Sequence, residues 1–230
     1  IGRGTNELHD EIGSTNTRCA ELAAAGAPEG TVVIARQQTA GRGRQGKAWS
    51  SPPDAGISFS CLLRPHQAKI PLNKLPLVTL ATGVACARAI ESSSGIRLGL
   101  KWVNDLTANG KKVGGILCEQ TTTTDRTMAI VIGIGLNINA PLSTFPEDLQ
   151  QGATTLAAEA GRPFDRVALL ADLLLRLEQR LDRLFLEGPT DMIGEFTQRC
   201  STVGKTVRVT LEEKGVVQGI AESIGPDGCL

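Results

Sequence analysis

The dipeptide Asn109-Gly110 stands between two runs of strand character, and it limits what this chain can fold into more than any other feature. Asn-Gly supplies the left-handed backbone that a tight hairpin turn needs. Residues 98–103 read as a strand and 113–119 as its returning, antiparallel partner. Further strands are expected at 31–35 (TVVIA), at the alternating run 57–63, and at the strongly apolar run 128–134, which leads into Gly135-Leu136-Asn137. Helices fall between these groups. Ser14-Thr15-Asn16 offers a polar cap to a run of helix formers that Gly26 stops. Residues 72–91 carry Leu72, Leu75, Leu80, Val84 and Ala87 on one stripe, and a further helical region starts near Thr154. Residues 165–186 form a long amphipathic helix with Asp172 and Arg176 at i,i+4. Strands adjacent in sequence, with helices between the groups, predict an α+β fold with a mixed, largely antiparallel sheet flanked by helices.

The texture changes after Cys200. Residues 205–212 alternate, Glu213-Lys214-Gly215 turns, and 216–220 alternate again. The expected organisation is a main domain over 1–200 and the start of a small β unit over 201–230. The turn signal Pro226-Asp227-Gly228 leads one to expect a further strand, so the unit reads as truncated.

Net charge is zero, which argues against a dedicated nucleic-acid binder, but the charge is unevenly spread. Between Glu29 and Glu91 the one acid is Asp54, set against Arg36, Arg42, Arg44, Lys47, Arg64, Lys69, Lys74 and Arg88, a local balance of plus seven (eight minus one). Such a stretch is either paired in three dimensions with acids elsewhere or grips an anion. The six cysteines are scattered without a CxxC, and no charge-free apolar run reaches the roughly 20 residues of a membrane span. With no signal peptide in view either, the expected compartment is the cytoplasm and no membrane association is expected.

The anion reading fits best at GRGRQGKAW, residues 41–49. Residues 41–46 satisfy GxGxxG and 41–47 satisfy GxxxxGK, yet neither motif has its context. A dinucleotide fold would enter a helix at once, whereas Ser50-Ser51-Pro52-Pro53 blocks one, and a P-loop needs Ser or Thr where Ala48 stands. What remains is a loop of three cations without a neighbouring acid, loosened by glycines. It is expected to stay mobile until an anion arrives and then to close over it with guanidinium and backbone N–H groups. Trp49 is the aromatic placed to cover a ligand there, whereas Trp102 reads as core.

A second constellation, Lys101-Trp102-Val103-Asn104-Asp105-Leu106 and Lys111-Lys112-Val113-Gly114-Gly115-Ile116, sets Asp105 and Lys112 across the hairpin turn. A surface ion pair is the plain reading and would contribute only ~0–1 kcal/mol. Gly114-Gly115 beside the lysine adds a strand without side chains, where a ligand can lie against backbone. His9 and His66 sit near no nucleophile signature, so neither a hydrolase triad nor a histidine metal site is supported, and no protein metal site is expected.

GRGRQGKAW, KWVNDL, KKVGGIL and IGIGLNIN, in this order behind Ser14-Thr15-Asn16, resemble the biotin protein ligases. The resemblance runs from about residue 10 to the end. It implies a catalytic domain of class II aminoacyl-tRNA synthetase-like type with a C-terminal SH3-like β module, of which 201–230 would be the first strands. It implies a two-step reaction: biotin and MgATP give biotinyl-5′-AMP, and the acyl group then passes to a lysine of a biotin carboxyl carrier protein domain. By resemblance, Ser14, Thr15, Asn16 and Gln38 address the biotin head group, with the Gly115 backbone nearby. Arg42, Gly43 and Arg44 close over the carboxylate and phosphate, and Lys112 contacts the reacting oxygens. Asp105 orients Lys112 or the acceptor lysine. Trp49, Lys101, Asn104 and Asn137 serve the nucleotide side with Arg42 and Arg44.

Some relatives carry an N-terminal DNA-binding domain. Thirteen residues precede Ser14, so a ligase without repressor activity and without DNA binding is expected, with homodimerisation left open. The rivals are a lipoate or octanoate ligase of the same fold, whose loop is built differently, and a non-catalytic nucleotide- or RNA-binding module using the basic stretch.

Overall fold

A computed structural model describes residues 1–64, 75–122, 128–211 and 215–230. Strand β1 (Asn6–Ile12) leads through helix α1 (Thr15–Ala24) to β2 (Val32–Gln38), and β3 (Gly56–Leu63) returns beside it. Helix α2 (Leu75–Ser94) precedes β4 (Gly99–Lys101), β5 (Asp105–Ala108), β6 (Lys111–Thr122) and β7 (Met128–Asn137). Then come α3 (Glu147–Gln150), α4 (Leu156–Ala160), α5 (Arg166–Glu187), α6 (Thr190–Arg199) and the hairpin of β8 (Thr206–Leu211) and β9 (Gly215–Ile220). The main sheet has the order β1-β2-β3-β7-β6-β5-β4. Among the described strands β1 and β2 are the parallel pair, and every other pairing is antiparallel.

Period-two alternation divides the sheet into two chemically different faces. Ile57, Phe59, Cys61 and Leu63 of β3 and Ile130, Ile132, Ile134 and Leu136 of β7 share one face, which packs on α2 and α5 as the main core. Helix α5 meets that core with Leu169, Leu173, Leu177, Leu181 and Leu184, all buried. Its N-terminus is capped by Asp165, whose Oδ1 accepts from the backbone of Val167 and Ala168 at 2.8 and 3.1 Å. On the other face α1 covers one end of the sheet, burying Cys19 and Ala23 against Val33, Leu62, Ala129 and Val131. Beyond α1 the same face carries Ser58, Ser60, Gly133 and Gly135, with serine opposite glycine in register. These side chains are too small to need a covering helix, and the functional cleft lies there.

Helix α2 is long and apolar enough to cross a membrane by length and composition, although Arg88 and Glu91 interrupt it, so it is not a charge-free run. Here it is the central core helix, with Leu77, Leu80, Val84 and Ile90 fully buried.

The turn at Asn109-Gly110 forms as expected, with φ of 48° and 79°. Its incoming strand differs: β5 leads into the turn, whereas the expected strand at 98–103 shortens to the edge strand β4, paired with β5 and not with 113–119. Residues 102–104 leave the sheet because their polar groups have partners elsewhere. Trp102 Nε1 donates to the Gly228 carbonyl at 3.0 Å, and Asn104 Nδ2 donates to the Ile116 carbonyl at 3.0 Å. The segment 221–230 thereby packs back against the main core, burying Ala221 and Ile224. Strand β1 is absent from the expectations. Its acids Glu7, Asp10 and Glu11 and its exposed Leu8 give it no buried-strand pattern, and its place at the sheet edge requires none. Leu72, Lys69 and Lys74, and Glu213 and Lys214 of the second expected turn, lie outside the described residues.

Candidate active site

The hairpin β5–β6 carries one extra residue. Asp105 pairs with Gly115 and Leu106 with Gly114, but Thr107 pairs with Lys112, leaving Val113 unmatched. Directly opposed residues share a face, so this bulge puts Asp105, Lys112 and Gly115 together on one side. Without it, strict alternation would send Lys112 and Gly115 to opposite faces. The side chain of Val113 is buried in the core instead. Lys112 Nζ reaches Asp105 Oδ1 at 2.7 Å. The backbone of Lys112 is fixed on its other flank, its N–H donating to the Gly152 carbonyl and its carbonyl accepting from Thr154 N–H, both at 2.8 Å.

The start of α1 forms the opposite end of the cleft. Gln38 Oε1 accepts from Thr15 N–H at 2.8 Å and from Thr15 Oγ1 at 3.1 Å, so the first helical amide is satisfied from β2. Ser14, at the N-cap, makes no capping bond with its own side chain. Ser60 Oγ lies 2.8 Å from Thr15 Oγ1 and 2.6 Å from Asn16 Oδ1. Asn16 Nδ2 donates to the Leu117 carbonyl at 3.2 Å and to Glu119 Oε2 at 2.8 Å. Both amide protons and the amide oxygen are used, so the orientation of Asn16 is determined.

The cationic loop 41–49 folds into a small hairpin of its own. Gly43 N–H donates to the Lys47 carbonyl at 2.7 Å and Trp49 N–H to the Gly41 carbonyl at 2.8 Å. Contrary to expectation, Arg42 has an acid beside it: its Nη2 pairs with Glu119 Oε1, and Nη1 lies 3.4 Å from Thr17 Oγ1. That acid lies 77 positions away on β6, out of reach of any local sequence signal. Trp49 lies flat on the sheet, its ring against Gly115 and Gly135 and its centroid 5.8 Å from Lys112 Nζ, within cation–π range. A Cβ at Gly135 would come within 2.4 Å of that ring, and one at Gly133 within 1.9 Å of Asn16 Oδ1. Glycine at these two positions lets the side chains above them approach the backbone this closely.

Together these elements enclose a cavity of about 440 Å³, roofed on one side by Phe145, Asp148 and Leu149. Ser14, Thr15, Asn16, Gln38, Arg42, Gly43, Arg44, Trp49, Asn104, Asp105, Lys112, Gly115 and Asn137 all line it. Asn137 is buried, its Nδ2 donating to the Thr154 carbonyl at 3.2 Å. Lys101 is the exception: it is exposed on the outermost strand β4 and is no part of the cavity wall. Three residues that matter here, Ser58, Ser60 and Glu119, were not singled out from the sequence. Each shows as a polar position in phase with the glycines of its own or the neighbouring strand, a signal that appears once the faces of the sheet are known.

The basic stretch resolves into two kinds of residue. Arg36 faces Asp10 and Asp54, Arg88 pairs with Glu195, and Arg64 donates to the Ala27 and Ala23 carbonyls at 2.9 and 2.8 Å. These are structural. Arg42, from this stretch, and Lys112 of β6 both line the cavity and are held in partly exposed pairs with Glu119 and Asp105, of the kind that contribute only ~0–1 kcal/mol. An incoming anion can therefore take the place of either carboxylate at little cost. The site thus offers a polar pocket at one end, a flat aromatic and buried amide at the other, and two exchangeable cations between them. That arrangement fits an elongated ligand whose negative charge falls at its middle.

Residues 9–137 match the biotin/lipoate A/B protein ligase family. The bifunctional ligase/repressor BirA of Bacillus subtilis is 39% identical over 223 residues, covering 96% of this chain and 67% of that protein. The biotin–[acetyl-CoA-carboxylase] ligase of Mycobacterium tuberculosis is 34% identical, covering 100% of this chain and 85% of its own length. The biotin protein ligase of Aquifex aeolicus, solved in complex with biotin and ATP, superposes with a TM-score of 0.83 at 31% identity, covering 97% of this chain and 89% of that one. The chain belongs to the biotin/lipoate A/B protein ligase family.

Proposed function

We propose that this chain is an ATP-dependent biotin protein ligase that forms biotinyl-5′-AMP with release of pyrophosphate. It then transfers the biotinyl group to a lysine of a biotin carboxyl carrier protein domain. The observation that carries the reading is the placement of Lys112 and Arg42, each on an exchangeable carboxylate, between the hydrogen-bonding pocket of Ser14–Gln38 and the Trp49–Asn137 wall. The relatives named for biotin ligation, and the neighbour holding biotin and ATP, favour biotin over lipoate as the acid.

The chemistry follows from the charges. A carboxylate is a poor electrophile. Attack of its oxygen on the α-phosphorus of ATP forms a carboxyl–phosphate anhydride, breaks the bond to the bridging oxygen and releases pyrophosphate. Negative charge accumulates between acid and phosphate, and preorganised cations stabilise it most where water is excluded. Lys112 Nζ leaves Asp105 to contact those oxygens, and Arg42 leaves Glu119 to close the loop over them. The acceptor lysine then attacks the acyl carbon, AMP departs, and Asp105, freed of Lys112, is the carboxylate at hand to orient that amine. Closure of 41–49 also shields the anhydride from hydrolysis. Magnesium is part of the nucleotide substrate. It is commonly held by phosphates with one or two carboxylates, and Asp105 and Asp148 are the carboxylates of the cavity wall.

The test is biotin-dependent exchange of labelled pyrophosphate into ATP, with lipoate and octanoate as controls. Exchange with biotin alone is the expected result. Exchange only with lipoate or octanoate, or none from folded protein, would overturn the reading.

A further inference from the structure

Glu119 is given no role in the reaction above, yet its carboxylate touches both the acid pocket and the cationic loop. Its Oε1 is paired with Arg42 of the cationic loop, and its Oε2 accepts from Asn16 Nδ2 at 2.8 Å. We infer that Glu119 is a positioning residue that couples acid recognition to the closure of the cationic loop.

The argument rests on how a carboxylate divides its oxygens. An ionised carboxylate is acceptor-only, so it can hold a guanidinium and an amide N–H at once without orientational conflict. Glu119 alternates in phase with Leu117 and Gly115, which turns it to the cleft face, while its neighbour Cys118 belongs with the core. With Glu119 in place Asn16 must aim its NH2 at β6 and its oxygen at Ser60, which fixes the polarity of the pocket. With Arg42 seated on the same carboxylate, the loop rests against β6, one exchange of partners from an anion in the cleft. A ligand anion that draws Arg42 away leaves Asn16 as the remaining partner of Glu119. The two events share one group and cannot be independent.

The inference rests on the proposed function, and two measurements separate their failures. The first needs no ligand: tryptic cleavage after Arg44 in the unliganded full chain. Glu119→Ala and Arg42→Ala should each raise the cleavage rate about tenfold, and the double variant no further, because both remove one and the same pair. The second uses biotin in the pyrophosphate exchange assay. Glu119→Ala should raise KM for biotin about tenfold with kcat within about threefold, through the freed Asn16. Glu119→Gln, which preserves size, should restore cleavage resistance or biotin KM but not both, since one amide oxygen cannot replace two carboxylate oxygens. Unchanged cleavage in Glu119→Ala, additive cleavage rates in the double variant, or full rescue of both by Gln would each overturn the inference. Wild-type protein inactive with biotin would overturn the functional reading, while the cleavage result would still stand or fall alone.

Discussion

Lys112 Nζ rests 2.7 Å from Asp105 Oδ1, and the two meet because Val113 is an extra residue in β6. The bulge is a local irregularity with a chemical purpose, since it turns a lysine, a carboxylate and a bare backbone strand to the same side. The pair is partly exposed, so it contributes little to folding. Replacing Lys112 by Ala should therefore leave the melting temperature within about 2 °C of wild type. The adenylation rate should fall by about a hundred- to a thousandfold, as for loss of one transition-state donor. Thermal melts alongside pyrophosphate exchange measure both, and an unchanged rate would remove Lys112 from the mechanism.

The two glycines of β7 should respond differently to the same methyl group. Gly135→Ala places its Cβ 2.4 Å from the Trp49 ring, which belongs to an exposed loop and can swing aside. The expected result is a KM for ATP raised about tenfold with little change in stability. Gly133→Ala meets Asn16 Oδ1 at 1.9 Å, and Asn16 is buried with every polar atom committed. That variant should lose about 1–3 kcal/mol of stability together with biotin affinity. Equal stability losses in both would mean Trp49 is as firmly held as Asn16.

Much of this was legible in the sequence. The sheet class, α1, α5 and the Asn109-Gly110 turn follow from period, caps and turn chemistry. Nearly every residue assigned to the site does line one cavity, because short motifs carry local geometry with them. What escaped was non-local. The partner of Arg42 lies 77 residues away, and nothing at 41–49 announces it. Ser58 and Ser60 were seen only as the polar half of an alternating strand. Strand β1 has a solvated, acidic sequence whose pairing is fixed by β2. Lys101, given to the nucleotide side by resemblance, lies on the edge strand β4 away from the cavity wall. The strand expected at 98–103 stops short of the site, because the polar groups at 102–104 turn out of the sheet toward Gly228 and Ile116.

Glu7 predicts a pH dependence. Arg18 donates to both of its oxygens, at 2.9 and 2.8 Å, and His9 Nε2 lies 2.9 Å away. The hydrogen bonds from Arg18, with His9 second, lower its pKa from 4.5 to about 2. A depressed carboxylate pKa contributes stability that is present above the unfolded value and lost as pH falls toward the folded one. The difference in melting temperature between wild type and Glu7→Gln should therefore be full above pH 4.5 and shrink between pH 4.5 and 2. A difference that stayed constant across that window would show that the pair β1–α1 is not held by this charge.

Thiol chemistry offers a check on the core itself. Burial raises the thiols of Cys19, Cys86 and Cys118 to about 12 and that of Cys61 further, whereas Cys229 is exposed, its thiol raised by partial desolvation and by Asp227. At pH 8 a thiol of pKa 12 is ionised in only about one molecule in ten thousand, and the thiolate is the nucleophile. Iodoacetamide on native protein should therefore modify Cys229 and spare Cys19, Cys61, Cys86 and Cys118, while denatured protein should label at all six. Peptide mass mapping over time reads this directly. Cys118 is the informative position, since β6 also carries Lys112, Gly115 and Glu119. Native labelling there at the rate of Cys229 would mean that β6 opens locally on the timescale of the reaction. In that case its side chains would not be held in the preorganised array that the adenylation chemistry requires.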